Sequence, residues 1–406
     1  MTKTQKYILI SFLILVAVFV GYNFTRQFMT QEREPQPSKI LDPAYWQDKY
    51  PDIYQSYLRN SNEGDTEFGG EQQIDYIKKY PQISVLYEGF GFSKEYFSAR
   101  GHVYALEDVI NIGRPKPGAS CLACKSSDYE RLYNKYGEDL FAMDFVQMAN
   151  EAKYPITCYS CHRNNPGELH ITVPHAEIGF KQLDFEIERG SKNCAQCHVE
   201  YYIDPDTKAI VLPWKYGLTV EDYERYFDEK NFADWVHPRT GTPLIKIQHP
   251  EYEMYRDSPH HRLGMDCNAC HMPKMENDQG ETYVSHWWTS PLKTARESCL
   301  GCHVNHDEQS IADWVNSKQQ EVEDKTKEAM DLLVDLIEKL AVRVEEGNIE
   351  DDILEQVRNL HRRAQIRWDF IFAENSTGSH HFARAHAYLD ESIDLAKQAL
   401  QILENN

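Results

Sequence analysis

The stretch Cys121-Leu122-Ala123-Cys124-Lys125 decides how this chain is read. Its two thiols have the spacing of a covalent haem site, C-x-x-C-x, but a lysine stands where histidine is expected. Four further stretches keep the histidine: Cys158 and Cys161 with His162, Cys194 and Cys197 with His198, Cys267 and Cys270 with His271, and Cys299 and Cys302 with His303. A thiol pair at this spacing can form two thioether bonds to the vinyl groups of one haem. The histidine that follows then falls beneath the iron as an axial ligand. The pattern predicts five c-type haems, one of them unlike the rest.

All ten cysteines belong to these pairs, so none is left over. Zinc ribbons and short disulfides are the competing readings. Zinc is disfavoured because one histidine directly follows each second cysteine, in place of a separate histidine pair. With 17 histidines in 406 residues, the chance of histidine at one position is about 4%, and four such placements by accident are roughly one in a hundred thousand. The net charge of −21, from 64 acidic and 43 basic residues, repels phosphate backbones and excludes nucleic acid as a partner. The same field repels an anionic substrate unless a local basic funnel overcomes it.

Residues Tyr7 to Val20 are apolar except for Tyr7 and Ser11, and Lys3 and Lys6 precede them. A basic flank before a hydrophobic run keeps the N-terminus inside and exports the remainder. Residues 1–30 are expected to be a retained signal anchor, with cleavage as the alternative, and the bulk of the chain to stand on the periplasmic side. Residues 31–43 carry Pro35, Pro37 and Pro43 and read as an extended linker. The pentahaem region is expected over 44–310. Within it Asp128 to Asn150 reads as a helix, Asn164 to Gly167 as a turn and Leu169 to Val173 as a short strand.

From Ile311 the periodicity changes. Val322, Met330, Leu333, Ile337, Leu340 and Val344 recur at helical steps, and Gly347-Asn348 ends the run. Two more helices follow, through Ile353 to Ile371 and Ala385 to Leu403. Residues 311–406 either pack on the body or form a subunit interface. The expected fold class is mainly α: a multihaem cytochrome with a haem-filled core, long C-terminal helices and few short strands.

A lysine ammonium has no lone pair, so Lys125 can ligate iron only as the neutral amine, which burial and a ferric centre both favour. An iron so held can keep its other face open to a small molecule. The alternative is that Lys125 points to solvent and a distant histidine ligates in its place. The four histidine sites need four distal ligands, and thirteen histidines outside the motifs could supply them.

A lysine-bearing motif followed by four C-x-x-C-H motifs resembles the pentahaem cytochrome c nitrite reductases, the ammonia-forming catalytic subunits. The blocks Arg100-Gly101-His102-Val103-Tyr104-Ala105-Leu106, Cys197-His198-Val199-Glu200-Tyr201-Tyr202 and Lys246-Ile247-Gln248-His249-Pro250-Glu251-Tyr252 are similar to that family's blocks. The resemblance runs from about Tyr45 to the C-terminus. It implies six-electron reduction of nitrite to ammonia at the Lys125 haem. Arg114, Tyr201 and His249 would surround the substrate, with Arg100 as the fallback for the arginine. It implies one calcium ion, held by the Glu200 carboxylate, the Tyr201 and Lys246 carbonyls and the Gln248 side chain. It implies His102, His286, His380 and His260 as distal ligands of the third, second, fourth and fifth haems; neighbouring His261 and His381 are the alternatives. It further implies a homodimer through the long helices and a membrane-bound quinol-oxidising multihaem cytochrome as electron donor. The competing functions are a multihaem electron-transfer protein without substrate, and a related reductase acting mainly on hydroxylamine or sulfite.

Overall fold

The computed structural model describes residues 40–61 and 72–406, together with Gln5. The expected anchor and nearly all of the linker lie outside these residues. Among the described residues no helix is long and apolar enough to cross a membrane.

The three helices read from the C-terminal periodicity are present. The first runs Glu308–Glu346, 39 residues, three positions earlier than the pattern suggested. Asp307 sets that start: its carboxylate accepts the Ser310 N–H, and the Ser310 hydroxyl accepts the Asp307 N–H in return. Gly347 ends the helix in the left-handed region, φ 66°, where a β-carbon would be strained. The second helix, Asp351–Ala373, and the third, Phe382–Asn405, fold back against it. Leu333, Ile337, Trp368, Leu389 and Ala396 are fully or almost fully buried between them.

Residues 41–406 form one compact unit. The stretches 44–310 and 311–406 share a core in which Tyr87, Trp214, Tyr223 and Ile247 pack with Met330, Leu333, Trp368 and Tyr388. The aromatic-rich segment before the first haem motif shows no periodicity because its helices are short, from Pro51–Leu58 with eight residues to Tyr76–Lys79 and Ile83–Leu86 with four each. It supplies rings to a cluster: Phe90 stacks on Trp235 at 4.9 Å, Phe92 meets Tyr96 edge-on at 4.8 Å, and Tyr87 leans on Trp368 at 5.7 Å.

Two local expectations are corrected. The helix expected from Asp128 to Asn150 is broken into Tyr129–Tyr136, a 3-10 turn Gly137–Ala142, and Phe145–Glu151. Gly137 adopts φ 65° and ends the first piece; the Asp144 carboxylate accepts the Gln147 N–H and starts the last. Leu169 to Val173 is extended chain without a strand partner. Among the described residues the strands form three two-stranded antiparallel hairpins: Tyr202–Ile203 with Ile210–Val211, Trp235–Val236 with Pro243–Leu244, and Lys274–Glu276 with Thr282–Val284. The first hairpin begins right after Tyr201 and the second ends just before Lys246, so both brace residues of the candidate site.

Leu333 is 0% exposed on the face shared by both halves. Leu333→Ala is expected to lower folding stability by about 3 kcal/mol, since large-to-small core changes leave a cavity. Denaturant unfolding of the haem-loaded protein checks this.

Candidate functional site

The Cys121-Cys124 stretch is a 3-10 turn, Ala119–Leu122, running into Lys125. Gly118 enters it because the backbone of Phe141 and Ala142 passes where a β-carbon would stand. Around this turn the fold gathers Arg114 from the stretch just before it and two residues from distant segments. Tyr201 packs on the same apolar cluster as Cys121 and Cys124. Arg114 acts electrostatically on Tyr201 and Cys121. His249 lies within the fields of Lys125 and Cys124. Arg100, the fallback, is elsewhere engaged: it bonds Asp108 at 2.6 Å and Glu107 at 2.9 Å and lies on the Tyr104 ring.

The electrostatics of the three differ. Burial lowers the Arg114 value from its ordinary range, yet a guanidinium keeps its proton in proteins. Its Nη1 is buried without a hydrogen-bond partner. Burial holds the Tyr201 phenol well above its ordinary value, so it stays protonated. Burial pushes His249 down to about 4 against the opposing pull of Glu251. The ring is therefore neutral at pH 7 and offers one N–H. It keeps 35% of its side chain accessible; the protein mass around it, rather than a closed surface, is what desolvates it. Glu251, to which the sequence reading gave no role, sits 3.9 Å from both His198 and His249. Burial alone would raise its carboxyl, but the two histidines hold it near 2.

None of the ten cysteines forms a disulfide. Each motif histidine faces one distant histidine. Ring centroids are 5.9 Å apart for His198 and His102, 6.2 Å for His162 and His286, 6.2 Å for His271 and His380, and 6.0 Å for His303 and His260. A metal ion bonded to both rings at about 2 Å would hold their centroids roughly 6 Å apart. In four of the eight rings the second nitrogen is also engaged, as metal-bound histidines require, while the His102 Nδ1 is buried without a partner. Nδ1 of His162, His271 and His286 donates to the carbonyls of Glu168, Thr289 and Val284 at 2.8, 3.0 and 3.0 Å, which leaves Nε2 for the partner side. His380 Nδ1 lies 2.5 Å from the Glu374 carboxylate. The residues present thus fit bis-histidine haem at four motifs.

Distance alone does not make such a pair. His237 and His361 are also 6.2 Å apart, but both His361 nitrogens are spent on Thr242 and Gln365, each at 3.0 Å. His306 stands 6.2 Å from His303, on the same backbone turn and so on the side from which His303 itself approaches. His261 bonds Glu188 at 2.8 Å, and His381 caps the last helix by accepting the Arg384 N–H at 3.2 Å. Neither alternative faces a motif histidine.

Of the four groups expected to hold calcium, those of Glu200, Lys246 and Gln248 are linked by hydrogen bonds. Glu200 is fully buried. Its Oε2 accepts the Gln248 N–H at 2.6 Å, while Oε1 has no partner. The Gln248 amide reaches the Lys246 carbonyl at 3.1 Å. An orphan carboxylate oxygen beside a carbonyl and a side-chain amide suits a hard cation. Among the described residues no group of three or more His, Cys, Asp or Glu converges on a metal; this set is built on one carboxylate and neutral oxygens. Behind it, burial raises Asp234 and Glu253 to about 7 each.

Glu253 has a pH consequence with a definite sign. Its folded value, about 7, lies above the ordinary 4.5, so the stability it contributes is complete below about 4.5 and is lost as pH rises through about 7. The loss is on the order of 3 kcal/mol. Glu253→Gln is expected to flatten it, as read from melting temperatures of calcium-depleted protein at about pH 5 and about pH 8.

The family model for cytochrome c552 matches residues 42–405. The cytochrome c-552 of Bacteroides thetaiotaomicron is 32% identical over 376 residues, covering 87% of this chain and 75% of that protein. That of Parabacteroides distasonis is 33% identical over 379 residues, covering 87% and 74%. Among solved structures, the catalytic subunit of cytochrome c nitrite reductase from Desulfovibrio desulfuricans, which has two calcium sites, superposes with a TM-score of 0.82 at 27% identity, over 91% of this chain and 87% of that one. With its haem-attachment motifs, its paired histidines and a match along nearly its whole described length, the chain belongs to the cytochrome c552 family.

Proposed function

We propose that this chain is a periplasmic pentahaem nitrite reductase, which reduces nitrite to ammonia at the haem of the Lys125 motif. The observation that carries the proposal is the convergence of Arg114, Tyr201 and His249, from three separate segments, on Cys121-Cys124-Lys125. The fold of a nitrite reductase catalytic subunit supports it. Six electrons and eight protons convert nitrite to ammonium and two waters.

Lys125 would hold the iron of the first haem through its amine nitrogen. His162, His198, His271 and His303 serve the other haems from one side, and His286, His102, His380 and His260 from the other. The haems, once bound, supply one open coordination position and the path for electrons. The chain's own residues do the rest. Arg114 holds the anion through an unspent N–H and a fixed charge. His249 offers its N–H toward an oxygen of the substrate, and Glu251 orients the ring from behind. The Tyr201 hydroxyl, kept protonated, donates a hydrogen bond. Glu200, Gln248 and the carbonyls of Tyr201 and Lys246 hold a calcium ion that fixes the two segments bearing Tyr201 and His249. The long helices form a homodimer, the N-terminal segment anchors the protein to the membrane, and a quinol-oxidising multihaem cytochrome supplies electrons.

Haem-loaded protein with a reduced dye is expected to consume nitrite and release ammonium, with a high-spin ferric signal that shifts on nitrite addition. Low-spin spectra throughout, with no ammonium, would overturn the reading. His249→Asn is expected to lower kcat at least tenfold with nitrite binding retained; lost binding at an unchanged rate per bound nitrite would remove the proton-donating role. His260→Ala should convert one low-spin haem to high spin, whereas His261→Ala should leave all spectra unchanged. The opposite result would reassign the fifth haem.

A further inference from the structure

Arg114 carries a charge with no carboxylate bonded to it directly among the described residues. Glu95 accepts the Gly113 N–H at 2.6 Å and steadies the cation through its field from longer range, without a hydrogen bond to the guanidinium. What the guanidinium touches is an aromatic face: its carbon lies 3.7 Å from the centre of the Phe92 ring and 5.8 Å from that of Tyr96. Gly91 runs along the arginine stem, close enough that a β-carbon there would stand 3.5 Å from Arg114 Cγ. Phe92 is itself fixed. It meets Tyr96 edge-on at 4.8 Å, stacks with Phe90 at 5.6 Å and approaches Tyr87 at 6.0 Å. The Lys246 ammonium lies 5.2 Å from the same ring.

We propose that Phe92 is the positioning residue for the substrate arginine, its ring face orienting the Arg114 guanidinium without cancelling its charge and thereby setting the affinity for nitrite. The physics separates two ways to hold an arginine. A carboxylate orients the fork through two hydrogen bonds, but it neutralises the cation and repels an incoming anion. An aromatic face attracts the cation through its quadrupole and leaves the net charge and the outward N–H groups available. The orphan Arg114 Nη1 is the donor such an arrangement frees. This inference rests on the nitrite reading, because it names what holds one of its residues.

The test compares Phe92→Leu with Phe92→Tyr in haem-loaded protein, using nitrite and uncharged hydroxylamine. Phe92→Leu is expected to weaken nitrite binding about tenfold in an absorbance titration, about 1.4 kcal/mol, and to raise the nitrite KM similarly. Its kcat should stay within about threefold and its hydroxylamine KM within about twofold. Phe92→Tyr, which keeps the ring, should restore nitrite affinity to within about threefold of the unaltered protein. Unchanged nitrite affinity in Phe92→Leu, or equal losses for both substrates, would overturn the proposal. Should the leucine variant fail to assemble its haems, Phe92→Met takes its place: the same selective loss of nitrite affinity is expected, and unchanged affinity or equal losses would again overturn the proposal. Nitrite that leaves the spectrum of the unaltered protein unmoved would instead sink the activity, a failure distinct from that of the platform.

Discussion

The contact on which most of this architecture leans is the buried pair of Lys246 and Asp369. Both side chains are almost wholly inaccessible, 1% and 0%, and their charged atoms are 2.8 Å apart. Asp369 belongs to the second long helix, and Lys246 to the segment bearing Gln248 and His249. The same carboxylate accepts the Tyr87 hydroxyl at 2.5 Å and the Ile247 N–H at 2.9 Å. One side chain therefore ties the C-terminal helices to the aromatic cluster and to the backbone of the candidate site. Such a pair adds little net stability against an apolar alternative, but removing one partner strands a buried charge. Its effect is positional: Lys246 cannot turn its carbonyl without leaving Asp369.

The histidine pairs obey a related logic. A metal ligand must be a neutral imidazole, and burial favours that form. Burial holds His102 near 3, and His271 and His286 near 4. His198 and His380 are exceptions, raised by Glu251 and Glu374 against the effect of burial. Those carboxylates stand on the Nδ1 side of each ring and so favour Nε2 as the nitrogen that faces the partner. Glu251 thus faces one histidine of a facing pair and, through its other oxygen, His249 of the candidate site.

Much of this was legible in the sequence because the haem signal is local. Ten thiols at fixed spacing announce themselves within five residues each, and the long helices announce themselves by period. The sequence also named Arg114, although only the fold separates it from Arg100, which is taken up by Asp108 and Glu107. What stayed hidden depends on contacts between distant segments. Phe92 beneath Arg114 and Asp369 behind Lys246 are ordinary residues until the chain brings them together. The break at Gly137 was missed for another reason. The apolar period continues across it, and only the left-handed backbone of that glycine and the Asp144 cap divide the helix.

The acidic composition looked hostile to an anionic substrate, and the structure shows why it is not decisive. Charges spread over the exterior are screened beyond about 8 Å at physiological salt. At the candidate site the relevant charges are much closer. Arg114 has no carboxylate bonded to it directly, and Lys116 lies near enough that burial first, and Arg114 second, lower its affinity for a proton, with Glu95 offsetting part of this at both cations. Two cations that raise each other's energy persist only where the fold holds them, here by the Phe92 face and by the Ile112 carbonyl that accepts the Lys116 ammonium. An anion bound there would relieve that repulsion. The local field, set by a few fixed groups, outweighs the net charge of −21 wherever contact distances apply.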